Sequence, residues 1–336
     1  VQLDPEFPMA HYYLNLTYAN IGDAAQSDKA FKEFQKYAEK LRGKEALYAQ
    51  AYIERHRGKP EKHLEILKEI IQKFPKEKRA FFDLGLHYWY RQMFNEAIPY
   101  FEKAIELDPK FGFAMNQLAY VYMYLKDFDK SLRYFQKYAS VAPGDANPYD
   151  SMGDLYFRFG RYDEAIKNYQ EALNIKPDFG SEYKISYIYA LEDDYAEALR
   201  WIDKFISSYP STGAKATGYH LKGFYYYILG NLEQAFAELD KAEELEKTVQ
   251  NFYSINLVLR SKLWACYEWG KNELFQKYSQ ARFDFRAEYK IQSEAVNKVY
   301  YEYDLGLLDV RENRIESAKS KLAKIKSLIS LVASPD

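Results

Sequence analysis

Five prolines mark time along the middle of this chain. Pro75, Pro109, Pro143 and Pro177 stand 34 residues apart, and Pro210 follows after 33. Twelve residues before each of the last four comes a small residue: Ala97, Ser131, Ala165 or Ala198. Four residues further on come Phe101, Phe135, Tyr169 or Ile202, and near the start of each unit Gly85, Ala119 or Gly153 precedes Tyr88, Tyr122 or Tyr156 by three. Self-similarity at this period signals one supersecondary unit used many times. The marks have physical reasons. A small residue lets two helices cross closely, Leu84, Leu118 and the aromatics fill the space between them, and proline stops the second helix because it has no amide donor and restricts the residue before it. The dipeptides GD at 22–23, KD at 126–127, GR at 160–161 and GN at 230–231 read as the turns inside each unit.

These residues resemble the tetratricopeptide repeat family, whose unit is a helix–turn–helix of 34 residues. In this register nine units are expected, at about 8–41, 44–77, 78–111, 112–145, 146–179, 180–212, 216–249, 253–288 and 299–332. The match is regular over about 1–249 and degenerate over about 250–332. The resemblance implies an all-α fold, a right-handed superhelical solenoid, with first helices lining a concave groove. With no linker rich in Gly, Ser or Pro, residues 1–336 read as a single solenoid. The opening VQLDPEF matches IELDPKF at 105–111, so the chain reads as a fragment of a longer one that starts inside a repeat.

Charge and composition narrow the function. With 47 basic and 49 acidic residues, the chain lacks the basic excess of a general nucleic-acid binder. No apolar run approaches the roughly 20 residues needed to span a bilayer, so no membrane insertion is expected. A lone Cys266 cannot build a disulfide framework, which suits a reducing, cytoplasmic setting, and a buried inert thiol is the reading for it. The histidines His11, His56, His63, His87 and His220 form no set with metal-ligand spacing and read as packed or surface helix residues. No nucleophile elbow or phosphate-cradling glycine loop occurs. The expectation is a protein with no catalytic residues, no cofactor and no metal. The sequon Asn15-Leu16-Thr17 lies inside a helix, and the lysines 319, 321, 324 and 326 read as a solvated face of the last helix.

Tyrosine is the surplus: 34 in 336 residues. The family resemblance implies that positions 2, 5, 9, 12 and 13 of each first helix face the groove. Carried over, they give Tyr12 in the first unit and Tyr48 and Tyr52 in the second, with Leu16 and Arg55 beside them. The third unit gives Phe82, Leu86, Trp89 and Tyr90, with Arg79, and the fourth Asn116, Tyr120 and Tyr124. Asp150 and Phe157 follow in the fifth, Tyr183 and Tyr187 in the sixth, and Phe224 and Tyr227 in the seventh. Tyrosine offers contact area, little entropy to lose and a hydroxyl for a peptide backbone. The expected partner is therefore a protein or extended peptide in the groove. The family's clamp for chaperone carboxyl termini uses Lys and Asn at these positions; only Asn116 resembles it, which favours an apolar or aromatic-seeking ligand. Two alternatives remain open at this stage: self-assembly into a homo-oligomer, and ligand sensing for an upstream enzyme or DNA-binding domain, as in larger bacterial regulatory proteins.

Overall fold

A computed structural model describes residues 6–20 and 24–333. Among them lie eighteen α-helices, α1 (Pro8–Asn20) to α18 (Ile315–Ala333). Each odd-numbered helix packs on the next, pairing α1 with α2 (Ala24–Ala38), α3 (Gly43–His56) with α4 (Pro60–Lys73), and α5 (Lys78–Trp89) with α6 (Phe94–Leu107). The series continues with α7 (Gly112–Tyr124), α8 (Phe128–Val141), α9 (Asn147–Arg158) and α10 (Tyr162–Ile175). These ten make one compact unit, up to Lys176; a second begins at Pro177 and holds α11 (Glu182–Leu191), α12 (Tyr195–Ser208), α13 (Thr212–Ile228), α14 (Leu232–Thr248), α15 (Phe252–Glu268), α16 (Asn272–Glu288), α17 (Glu294–Arg311) and α18. Within the first unit each second helix packs on the next first helix, and α5, α7 and α9 touch in order, so the first helices share one face.

The chain makes these pairs for the reasons its spacing suggests. Helices α4, α6, α8, α10 and α12 stop one or two residues before Pro75, Pro109, Pro143, Pro177 and Pro210. Ala97, Ala165, Ala198 and Ala235 are fully buried at the crossings. A Cβ on Gly85 would sit 2.5 Å from the Phe101 ring, and one on Gly153 would meet Tyr169 at 2.4 Å, so these glycines are what lets the aromatic ring lie across the helix pair. Asp127, Asp194 and Asn231 cap α8, α12 and α14 by accepting the backbone N–H three residues on.

One backbone feature ties the regular and degenerate repeats together. The turn inside each pair from α3/α4 to α17/α18 holds one residue in the left-handed region: Gly58, Gln92, Lys126, Gly160, Asp193, Gly230, Gly270 and Asn313. The last three lie 40 and 43 residues apart, because helices α13 to α18 have 17 to 19 residues where α3 to α12 have 10 to 14. The 34-residue period is therefore lost while the pairing persists. The last pair begins at Glu294, five residues ahead of the 299 expected, and α14 and α16 end at the left-handed Gln250 and Lys290 where no proline is available. The GD turn and the opening heptapeptide up to Pro5 lie outside the described residues.

Part of the tyrosine surplus is structural. Tyr88 stacks on Tyr100 at 5.4 Å and 9°, and one repeat later Tyr122 stacks on Tyr134 at 5.7 Å and 8°. No helix among the described residues is long and apolar enough to cross a membrane.

Candidate functional site

The first helices α1, α3 and α5 wall a cleft of about 900 Å³ in the first unit. Eight of the nineteen residues named from the sequence meet there: Tyr12, Leu16, Tyr48, Tyr52, Arg55, Arg79, Leu86 and Tyr90. Tyr12 meets Tyr52 edge to face at 4.7 Å and packs on Phe34 at 5.8 Å. The Tyr52 hydroxyl donates to Asn15 Oδ1, and Asn15 Nδ2 donates to the Ser27 hydroxyl at 2.9 Å. Asn15 is thus a buried crosslink rather than a glycosylation acceptor. Tyr13 and Tyr90, both on the rim, are 63% and 61% exposed, Tyr13 edge-on to Tyr12 and Tyr90 edge-on to Trp89.

The floor is polar. Arg79 Nε donates to both oxygens of Asp83, one turn on, at 3.1 and 3.2 Å. Burial raises the Asp83 carboxyl above the usual range, against the pull of Arg79. The Tyr48 hydroxyl is buried and has no hydrogen-bond partner among the described residues. Burial, with Glu77 and Asp83 nearby, pushes it well above the usual phenol range.

At the α4 end, His63 and His87 stack at 5.8 Å and 26°. Burial chiefly, with Arg55 and Arg91 beside His63 and Arg91 beside His87, lowers both imidazoles to about 4. Neither arginine forms an ion pair among the described residues; Arg91 Nη1 donates to the His87 carbonyl at 3.1 Å, and Arg55 lies 5.9 Å from the Tyr90 ring centre.

The other sequence-named residues lie elsewhere. Phe82 packs between Phe101 and Phe111. Trp89 meets Tyr90 and Tyr124 edge-on, and its indole N–H is buried without an acceptor among the described residues. Asn116 is 8% exposed, with its Oδ1 lacking a donor among them. Tyr120 is tied down: its hydroxyl lies 2.9 Å from Asp154 Oδ2 and 3.1 Å from Ser151 Oγ, while Tyr169 donates to Asp154 Oδ1 at 2.8 Å. Tyr124 stacks on Phe94 under the Arg158 guanidinium, Phe157 on Tyr162, and Asp150 is buried. In the second unit Tyr183, Tyr187 and Phe224 are exposed, with Tyr183 against Phe205 and Phe224 beside Tyr227.

Sequence reasoning missed several residues. Tyr13, Arg91, His63 and His87 all line the cleft but occupy none of the five family positions, and His63 belongs to a second helix. Trp264 and Tyr303, exposed on α15 and α17, fall where the period is lost. Of the remaining groups singled out, Cys266 is buried beside Leu263, Phe275 and Leu308, and burial pushes its thiol up to about 11. Lys319, Lys321 and Lys324 pair with Glu316, Asp309 and Glu302. No cluster of three or more metal-ligating side chains occurs among the described residues.

Stacked helix pairs with first helices on a shared face define a helical-repeat scaffold for protein interaction. The chain belongs to the tetratricopeptide repeat family: models of that repeat match residues 45–77, 79–111, 112–178, 151–211 and 216–248, together more than half of the sequence. Among solved structures, PilW, a widely conserved type IV pilus biogenesis factor, is 16% identical over 60% of this chain and 92% of its own, with a TM-score of 0.50. A tetratricopeptide repeat protein from Parabacteroides merdae is 16% identical over 75% and 98%, at 0.49. MamA from Desulfovibrio magneticus is 20% identical over 49% and 93%, at 0.43. At these identities the likeness is one of fold alone. A comparison with curated protein sequences gives no match.

Proposed function

We propose that this protein works by binding rather than catalysis, and that the cleft on α1, α3 and α5 holds an extended segment of a partner protein. The observation that carries this reading is the cleft itself: about 900 Å³, walled by tyrosines of three successive first helices over a polar floor. That volume is at the upper end of the usual ligand-site range, enough for several residues of extended chain. Rigid amphipathic rings give contact area at small entropic cost.

The test uses the two rim tyrosines, the most exposed rings of the cleft, whose removal costs only their edge contacts with Tyr12 and Trp89. A display library of random 12-residue peptides is selected on the whole chain and on a Tyr13→Ala/Tyr90→Ala variant with unchanged helicity. Enrichment on the wild type that falls at least tenfold on the variant supports the cleft. Equal enrichment on both places recognition elsewhere. Light scattering over a concentration series covers the competing reading, because a mass that doubles with concentration would indicate self-assembly.

A further inference from the structure

The seam between α16 and α17, in the second unit, holds more buried positive charge than negative. Helix α16 sends two arginines into it, one turn apart: Arg282, 7% exposed, and Arg286, 2% exposed. Both guanidiniums lie against one ring, that of Tyr300 on α17, whose centre is 5.8 Å from Arg282 Cζ and 4.8 Å from Arg286 Cζ. Among the described residues Asp304, also buried, is the one acid that acts on either arginine. Asp304 stands 3.7 Å from Arg282 Nη1 and accepts from the Ser279 hydroxyl at 3.3 Å. Arg282 Nε donates to Asn256 Oδ1 at 3.2 Å. Arg286 is less well served. Its Nη1 lies 3.5 Å from Gln292 Oε1, at the limit of a hydrogen bond, and its buried Nε has no acceptor among the described residues. Arg260 of α15, exposed and in no ion pair among those residues, adds its field to Arg282.

The neighbouring seam shows how this fold otherwise treats such a charge. Lys262, 2% exposed on α15, has Asp240 of α14 at 2.5 Å and Glu243 at 2.6 Å. Burial first, and Arg282 second, lower Arg286 to about 10, so it stays charged at neutral pH. A charged guanidinium held out of water without its counter-charge is strongly destabilising. Three guanidiniums against one carboxylate leave an excess of two positive charges, and a phosphate group, with about 1.5–2 negative charges near pH 7, offsets that best. The planar edge of a guanidinium suits paired bonds to its oxygens.

We infer that the α16–α17 seam is a site for a small phosphate, free or as the monoester of a small molecule, held on the Nε edge of Arg286, steadied by Arg282 and roofed by Tyr300. The ligand is small because the guanidiniums lie inside the seam, beneath a ring, and not along an open cleft. Tyr300 is 41% exposed, and rotation of that one side chain opens the arginines to an ion. The site is independent of the cleft in the first unit. It also accounts for a residue that destabilises the ligand-free fold, since a bound phosphate supplies the counter-charge that Arg286 lacks.

Nitrogen–proton NMR of the arginine Nε–H groups, on the whole chain at pH 7 and constant ionic strength, tests this. Inorganic phosphate is expected to shift the Arg286 Nε–H signal along a saturating curve, half-saturating at a concentration about tenfold or more below that for acetate or chloride. Arg286→Met keeps the length of the side chain without its donors, and is expected to abolish the saturable shift at Arg282 Nε–H. Asp304→Asn removes the one competing carboxylate and is expected to tighten phosphate by about tenfold. Circular dichroism checks the fold of each variant, and should one of them unfold, the wild-type titration and the other variant still decide. Glycerol phosphate separates the two sources: tighter binding than inorganic phosphate supports a small monoester, weaker binding the free ion. A linear drift equal in all three salts overturns the site, because general screening then explains it. Acetate as tight as phosphate overturns the charge match. Saturation that survives Arg286→Met, or an Asp304→Asn variant that binds phosphate more weakly, overturns the assignment to this seam.

Discussion

Two tyrosines in equivalent chemistry but opposite circumstances offer a sharp test of the energetic picture. Removing the Tyr120 hydroxyl, as Tyr120→Phe, deletes its bonds to Asp154 at 2.9 Å and Ser151 at 3.1 Å while keeping the ring against Phe135. A hydrogen bond to a charged group contributes about 1.5–3 kcal/mol, and Asp154 keeps Tyr169 as a donor, so the cost should lie near 2 kcal/mol. For a unit of this size that is roughly 4–8 °C of melting temperature. The same deletion in Tyr48→Phe removes a buried hydroxyl that has no partner, so stability should hold or rise by up to about 1 kcal/mol. Urea titration followed by circular dichroism, with hydrogen exchange to localise the change, reads both variants. Equal losses in the two, or an unmoved Tyr120→Phe, would refute the assignment of one hydroxyl to a fold crosslink and of the other to a buried position without a partner.

Other consequences follow from the same geometry. Gln92, Lys126 and Asp193 hold left-handed backbone that costs a residue with a Cβ about 1–2 kcal/mol, so each change to glycine should stabilise by about 0.5–1 kcal/mol after the extra unfolded-state entropy, read as a raised urea midpoint; a lowered one contradicts it. Arg286 is 2% exposed, its Nε lacks an acceptor among the described residues, and it shares Asp304 with Arg282, so Arg286→Met should be neutral or stabilising by about 1 kcal/mol in a thermal melt. Acid should act oppositely on the His63–His87 pair and on Asp304. His63 and His87 titrate near 4 in the fold, below the free value of 6.5, so the unfolded chain takes up protons first and stability is lost as pH falls from about 6.5 to 4. Asp304, raised by burial to about 6, is the reverse case: its ionised form costs stability that is regained as pH falls through 6. Hydrogen exchange at pH 7 and pH 4.5 should therefore show α3–α5 loosening while α16 and α17 do not; uniform loosening would count against both assignments.

How far the sequence discloses this molecule depends on which signal each feature leaves. Proline and small-residue spacing report on helix ends and crossings, which is why the pairing from α3 to α12 can be read from Pro75 to Pro210. From α13 on, both helices of a pair lengthen together, so the crossing survives while the spacing that advertises it does not. Site residues are a different matter. The five family positions lead to Tyr12, Tyr48, Tyr52, Leu86 and Tyr90 because those side chains project from the exposed face of first helices. They also select Tyr120 and Phe82, since position alone does not say whether a ring meets solvent or a neighbouring repeat: Asp154 claims one and Phe101 with Phe111 the other. His63 and Arg91 leave no periodic trace, because a second helix and a turn bring them to the cleft only in three dimensions.

The measurement that bears most directly on the central claim is NMR chemical-shift mapping of the whole chain as a library-selected peptide is added. The account predicts shifts at Tyr12, Tyr13, Tyr52, His63, His87 and Tyr90, on the walls and the α4 end of one cleft, with the outward faces of α2, α4 and α6 unmoved. Shifts confined to those outward faces, or to the second unit with the cleft silent, would contradict it.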